Sequence, residues 1–208
     1  MYRLSYFFVT NCALILGISD KDTIMAKKIP IPTLLTWLRI ILVPFFVGIY
    51  YLPDSLLIMP YKNLVATIIF IVAAATDYLD GYLARKMKLE SNFGAFLDPV
   101  ADKALVAASL VVLVNLHRTF MFAAIIIIVR EIAISALREW MAQLGEGKSV
   151  AVAYVGKLKT ASQMGAIGFL LLDYNTNILG NILMLLAVVL TIISMFYYLE
   201  QAKKYFNQ

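Results

Sequence analysis

Residues 77–102 read DYLDGYLARKMKLESNFGAFLDPVAD and place four aspartates, Asp77, Asp80, Asp98 and Asp102, between two strongly apolar runs. On a helix, Asp77, Asp80, Gly81, Ala84 and Arg85 fall at offsets of 0, 3, 4, 7 and 8, which is one stripe. Gly94, Asp98 and Asp102, each four apart, make a second stripe on the next helix. If the two stripes face each other, four carboxylates share one small volume. Ionised acids that close repel one another and resist ionisation unless cations neutralise them, so divalent metal is the expected partner.

The surroundings decide the fold class. Of 208 residues, 62% are hydrophobic and 15% charged, and the mean hydropathy is +0.83. Runs such as LLTWLRIILVPFFVGIYYL (34–52) and NILMLLAVVLTIISMFYYL (181–199) are apolar on every side, and a soluble domain of this size lacks the interior to bury them. The expectation is an all-α integral membrane protein. Six segments have the roughly 20 apolar residues a span requires: about 34–53, 62–84, 97–116, 119–140, 154–173 and 177–199.

Between these segments, Lys27, Lys28, Arg85, Lys86, Lys88, Lys148, Lys157, Lys159, Lys203 and Lys204 fall on one side. Only Lys62 and Arg118 fall clearly on the other. The positive-inside rule makes the first side cytoplasmic, with both termini and a polar active-site cavity there, in the inner membrane. Residues 1–24 are apolar but short, interrupted by Thr10 and Asn11, and fit a signal peptide poorly. They carry no assigned function, either as an interfacial helix or as an extension before a start at Met25. Residues 25–208 form the membrane domain.

With one cysteine, Cys12, and one histidine, His117, thiol and imidazole chemistry have little to draw on. A metal would be held by oxygen, which favours magnesium, manganese or calcium over zinc. The net charge of +5 suits a membrane surface with anionic lipids, and no nucleic-acid partner is expected. Each residue of the stripes also has a plainer reading. Asp98 before Pro99 could be a helix N-cap; Gly81 and Ala84 could serve close helix packing; Arg85 could anchor a helix end at the interface. Those readings explain single residues, not four acids on two matched stripes beside a guanidinium suited to phosphate.

Taken together, Asp77, Asp80, Gly81, Ala84, Arg85, Gly94, Asp98 and Asp102 resemble the signature of the CDP-alcohol phosphotransferases, D-x2-D-G-x2-A-R-x8-G-x3-D-x3-D, with every position filled. The resemblance extends along nearly the whole chain from Pro32. It implies a six-span, homodimeric architecture in which two magnesium or manganese ions are held by Asp77, Asp80, Asp98 and Asp102. It also implies Asp102 as general base and Asp80, Gly81, Ala84 and Arg85 as residues binding the CDP-linked donor.

The acceptor is sought outside the signature. Arg130 and Arg138 lie two turns apart on one face of the fourth span, beside Glu131, Ser135 and Glu139. Charges that deep line a polar cavity or pair with each other. Both readings stand for Arg130, whereas Arg138 is placed in the site. Lys157, joined to Arg138, would make a pocket for an acceptor phosphate; Lys159 is assigned only to topology. The wording VREIAISALRE, GKLKT and GAFLDPVADK is similar to the bacterial branch of the family that uses CDP-diacylglycerol and sn-glycerol 3-phosphate. That branch commonly has Pro-Asn where this chain has Pro32 and Thr33, so a donor contact from Thr33 offers one hydroxyl in place of an amide. Sister enzymes acting on phosphatidylglycerol or inositol phosphate remain open, as does a divalent-cation transporter.

Overall fold

The computed structural model describes residues 31–87, 92–143, 154–173 and 177–203. Residues 1–30, and with them the expectations for the N-terminal segment, lie outside the described residues. Among the described residues there are six helices and no strand: α1 (Ile31–Ile49), α2 (Met59–Met87), α3 (Asn92–Asn115), α4 (Met121–Gln143), α5 (Tyr154–Leu172) and α6 (Asn177–Ala202). Each coincides with one of the six apolar segments to within a few residues.

The largest boundary difference is informative. Apolar length puts the start of this segment near residue 97, yet α3 begins at Asn92 and carries Pro99 inside. Asp98 is therefore an interior helical residue, not an N-cap, and the plain capping reading fails. Proline supplies no N–H to the helix ladder. The Pro99 carbonyl accepts a hydrogen bond from the Lys103 ammonium one turn on, at 3.1 Å.

Two helices carry runs long and apolar enough to cross a membrane, Met59–Thr76 (18 residues, mean hydropathy 1.4) and Asn177–Glu200 (24 residues, 2.5). Shorter apolar runs occupy Leu35–Ile49 and Leu158–Leu172. α3 and α4 have no comparable run, being interrupted by Asp102 and Lys103, and by Arg130, Glu131, Arg138 and Glu139. Their outer faces are nevertheless apolar: Val111, Val129 and Ile132 are exposed, as are Phe45, Ile71, Leu185 and Phe196 on the other helices. Large apolar side chains facing outward on helix after helix suit lipid, not water.

Inside, α2 contributes Ala66, Phe70 and Ala73, α3 contributes Leu105, Leu110 and Leu113, and α5 contributes Ala166, Ile167, Leu170 and Leu171, all buried. The spacings of three and four are those of a helical stripe. α5 packs against α6, α2 and α3, while α4 packs against α3 and α6. Buried hydroxyls satisfy themselves: Thr67, Ser109 and Ser162 each donate to the carbonyl four residues back, at 2.7, 2.8 and 2.7 Å. Self-satisfaction lets a hydroxyl sit in an apolar interior without a partner helix.

One end of the bundle is tied by charge. The Arg118 guanidinium, between α3 and α4, donates to Asn63 Oδ1 of α2 at 3.1 Å and to the Leu170 and Leu171 carbonyls at 3.3 and 3.0 Å. It also pairs with Asp173 at 2.8 Å. A cation at the last carbonyls of α5 meets the negative end of the helix dipole. Close by in sequence to Asn63, Lys62 is buried and reaches the Leu52 carbonyl at 2.6 Å and Asp54 at 2.7 Å. The two basic residues set apart by topology thus have structural work of their own. Asp173 and His117 adopt φ of 54° and 56°, left-handed positions that end α5 and turn the chain between α3 and α4.

Candidate functional site

Asp102 sits one turn into α3 beyond Pro99, and its carboxylate lines a cavity of about 1250 Å³. Across that cavity α4 presents Arg130, Glu131, Ser135, Arg138 and Glu139, and α5 presents Gly156 and Thr160. The last acid of the signature and the two arginines outside it therefore share one space. A smaller adjoining lobe of about 320 Å³ is lined by Asp102, Lys103, Glu131, Thr160 and Gln163, with Ala74 of α2 at its edge. Gln163 is buried, and its Oε1 has no hydrogen-bond partner among the described residues.

Electrostatics on α4 and α5 are built around Glu131. The Lys159 ammonium, 1% exposed, is paired with Glu131 Oε1, and Arg130 Nη1 lies 3.8 Å from the same oxygen. Assigning Lys159 to topology alone was too little: it is buried against an acid of the neighbouring helix. The spacing offered a clue, since Lys159 stands one turn before Gln163 and two before Ile167 on the stripe that α5 buries. Arg130 approaches Glu131 and also lines the cavity.

The arginines have a second set of partners that sequence reading missed. Arg130 Nη2 donates to Ser194 Oγ at 2.8 Å, and Arg138 Nη2 donates to the Tyr198 hydroxyl at 2.5 Å. The Tyr198 ring lies 5.6 Å from the Arg130 guanidinium carbon and 4.8 Å from that of Arg138. A signal existed: Met184, Ala187, Thr191, Ser194 and Tyr198 are spaced 3, 4, 3 and 4 and are all buried. Polar residues on the inward stripe of an apolar helix are candidates for partners.

The signature's remaining residues are placed by helix only. Asp77, Asp80, Gly81, Ala84 and Arg85 lie in the last third of α2, and Asp98 lies one turn before Asp102 in α3. α2 and α3 touch each other and both pack on α1 and α5. The side chains of Asp77, Asp80, Gly81, Ala84, Arg85, Asp98, Thr33 and Lys157 are outside the described residues, so the expected four-acid convergence and the Lys157 pocket are not tested by this geometry. Among the described residues the carboxylates that line the cavity are Asp102, Glu131 and Glu139, oxygen donors of the kind a magnesium or manganese ion takes, and no group of three or more metal-ligating side chains comes together.

The cavity lies among helices whose outer faces are apolar, with the last aspartate of the signature, Asp102, in its wall. The chain belongs to the CDP-alcohol phosphatidyltransferase family, whose model matches residues 29–193. It is 52% identical over 180 residues to the CDP-diacylglycerol--glycerol-3-phosphate 3-phosphatidyltransferase of Haemophilus influenzae, covering 85% of this chain and 95% of that protein. Proteins with the same description from Yersinia pestis and Shigella flexneri are each 48% identical, covering 84% and 83% of this chain and 96% and 94% of their own lengths.

Proposed function

We propose that this enzyme transfers a phosphatidyl group from CDP-diacylglycerol to sn-glycerol 3-phosphate, giving phosphatidylglycerophosphate and CMP in phospholipid biosynthesis. The observation that carries the reading is the shared cavity, which sets Asp102 of α3 opposite Arg130 and Arg138 of α4. An acceptor that brings its own phosphate needs cations at one end and a proton acceptor at the other, and this wall offers both.

In the reaction, Asp102 takes the proton from the acceptor hydroxyl while that oxygen attacks the lipid-bearing phosphorus. A new P–O bond forms, the P–O bond to the nucleotide breaks, and CMP leaves. Arg138, with Lys157 and Arg130, holds the acceptor phosphate by charge-assisted hydrogen bonds. Arg85, Gly81, Ala84, Asp80 and Thr33 bind the CDP moiety, the small residues admitting the nucleotide close to the helix backbone. Asp77, Asp80, Asp98 and Asp102 would hold two magnesium or manganese ions, which when bound polarise the pyrophosphate and stabilise the departing CMP.

The six helices are read as six spans of the inner membrane, with the cavity and both termini cytoplasmic. Supporting this, Lys62 at the start of α2 and Arg118 beside Asn63 lie at the opposite end of α2 from Arg85 and Lys86 in its last turn. The membrane domain is residues 25–208, working as a homodimer among membrane lipids. The test is CMP release by purified protein in detergent from CDP-diacylglycerol, with glycerol 3-phosphate, phosphatidylglycerol, inositol phosphate or no acceptor, before and after chelation. Release with glycerol 3-phosphate that chelation stops and either metal restores is expected. Release that ignores glycerol 3-phosphate but follows another acceptor would reassign the substrate.

A further inference from the structure

The two arginines that line the cavity are hydrogen-bonded to another helix. Arg130 is 6% exposed and Arg138 more open, yet each ends on α6: Arg130 on Ser194 and Arg138 on Tyr198. The pairs ascend together along both chains, 130 with 194 and 138 with 198, as helices running in the same direction require. Tyr198 is only 1% exposed, and its ring centre lies 5.6 and 4.8 Å from the guanidinium carbons of Arg130 and Arg138. Ser194 in turn donates to the Thr191 carbonyl at 3.0 Å, which leaves an oxygen lone pair turned to Arg130.

Each feature of this arrangement costs or constrains something. A free arginine samples many rotamers, and two guanidinium groups near one another repel. A π face shared by both offsets part of that repulsion, and a phenolic oxygen accepting from Arg138 fixes the rotation of its planar fork. Tyr198 uses one of the five N–H donors of Arg138, so others remain for a ligand in the cavity. Preset donors bind a phosphate more tightly than donors that must be ordered on arrival.

We propose that Tyr198, seconded by Ser194, is a positioning residue that aims Arg138 and Arg130 at a phosphomonoester in the cavity, so that α6 sets acceptor affinity without touching the acceptor. The proposal rests on the reading that these arginines meet the acceptor phosphate. Its test uses full-length wild type, Tyr198→Phe, Tyr198→Leu and Ser194→Ala in detergent, with KM for glycerol 3-phosphate and for CDP-diacylglycerol measured separately.

Loss of one hydrogen bond to a charged group predicts an acceptor KM raised about tenfold in Tyr198→Phe, with the lipid KM within about twofold. Tyr198→Leu, which also removes the ring, should exceed it, and Ser194→Ala should show a smaller rise of the same kind. An unchanged acceptor KM in Tyr198→Phe, or an equal rise for both substrates, would overturn the proposal. If wild type does not use glycerol 3-phosphate, the functional reading fails, and calorimetric binding of inorganic phosphate decides the positioning role separately. A Kd weakened in Tyr198→Phe supports it, and an equal Kd in both proteins overturns it.

Discussion

Lys159 of α5 and Glu131 of α4 form an ion pair whose ammonium is buried at 1% exposure while the carboxylate, at 25%, still reaches the cavity wall. Glu131 also faces Arg130 at 3.8 Å, so one acid serves two cations. Removing either partner strands charge in a poorly hydrated place, which costs about 3 kcal/mol or more. The two losses are unequal. Lys159→Met leaves Glu131 with Arg130, whereas Glu131→Gln leaves two cations facing each other. Thermal unfolding in detergent should therefore rank Glu131→Gln as the less stable, with the double variant recovering much of the loss. A double variant less stable than both singles would contradict this.

Arg118 ties three elements with one side chain. Its loss in Arg118→Ala leaves Asp173, Asn63 and two carbonyls of α5 short of a donor, which should cost about 2–4 kcal/mol. The cavity lies at a different set of residues. The expected result is a lower Tm with both substrate KM values unchanged in the protein that remains folded; a selective change in acceptor KM would put this end of the bundle in communication with the site.

How much of this was legible beforehand follows from what each residue must do. The helices were readable because apolar length is counted along the chain. Asp102 and Arg138, each a charge within an apolar segment, both line the cavity. Tyr198, Ser194 and the Lys159–Glu131 pair were not read, since each depends on which helix lies beside which, and residues 28 to 64 positions apart carry no mark of their contact. The start of α3 was set too late because counting apolar residues passes over Asn92 to Phe96, which are already helical.

Lys157 and Arg138 are assigned to the same phosphate from different helices. Lys157→Ala should raise the KM for glycerol 3-phosphate about tenfold or more while leaving that for CDP-diacylglycerol nearly unchanged, as expected for one charge-assisted contact. Steady-state kinetics with each substrate varied in turn checks it. Equal effects on both would move Lys157 out of the acceptor pocket and leave the arginines as its cationic wall.

Gly180 marks where α6 passes closest to α5. A Cβ there would lie 2.8 Å from both Cγ and Cδ2 of Leu170 and 3.3 Å from the Leu170 backbone nitrogen. Small residues at such crossings let helix backbones approach in a lipid environment. Gly180→Ala must push Leu170, itself fully buried, and overpacking of this kind costs about 1–3 kcal/mol. A Tm depressed in Gly180→Ala and restored in part by adding Leu170→Val would confirm the contact; an unchanged Tm would show that Leu170 yields freely.

Asp102 carries the heaviest chemical assignment, as proton acceptor and as one metal ligand among four. Asp102→Asn keeps the size and one oxygen but can no longer take a proton at neutral pH. Loss of general-base catalysis alone is worth roughly 100- to 10,000-fold in rate. Donor binding is assigned to other residues, Thr33, Asp80, Gly81, Ala84 and Arg85, so on that assignment it should survive. The expected outcome is CMP release lowered at least about 100-fold with CDP-diacylglycerol still retained in an equilibrium binding measurement. Turnover near wild type would remove Asp102 from the base role, and loss of donor binding in step with turnover would assign it to metal holding alone.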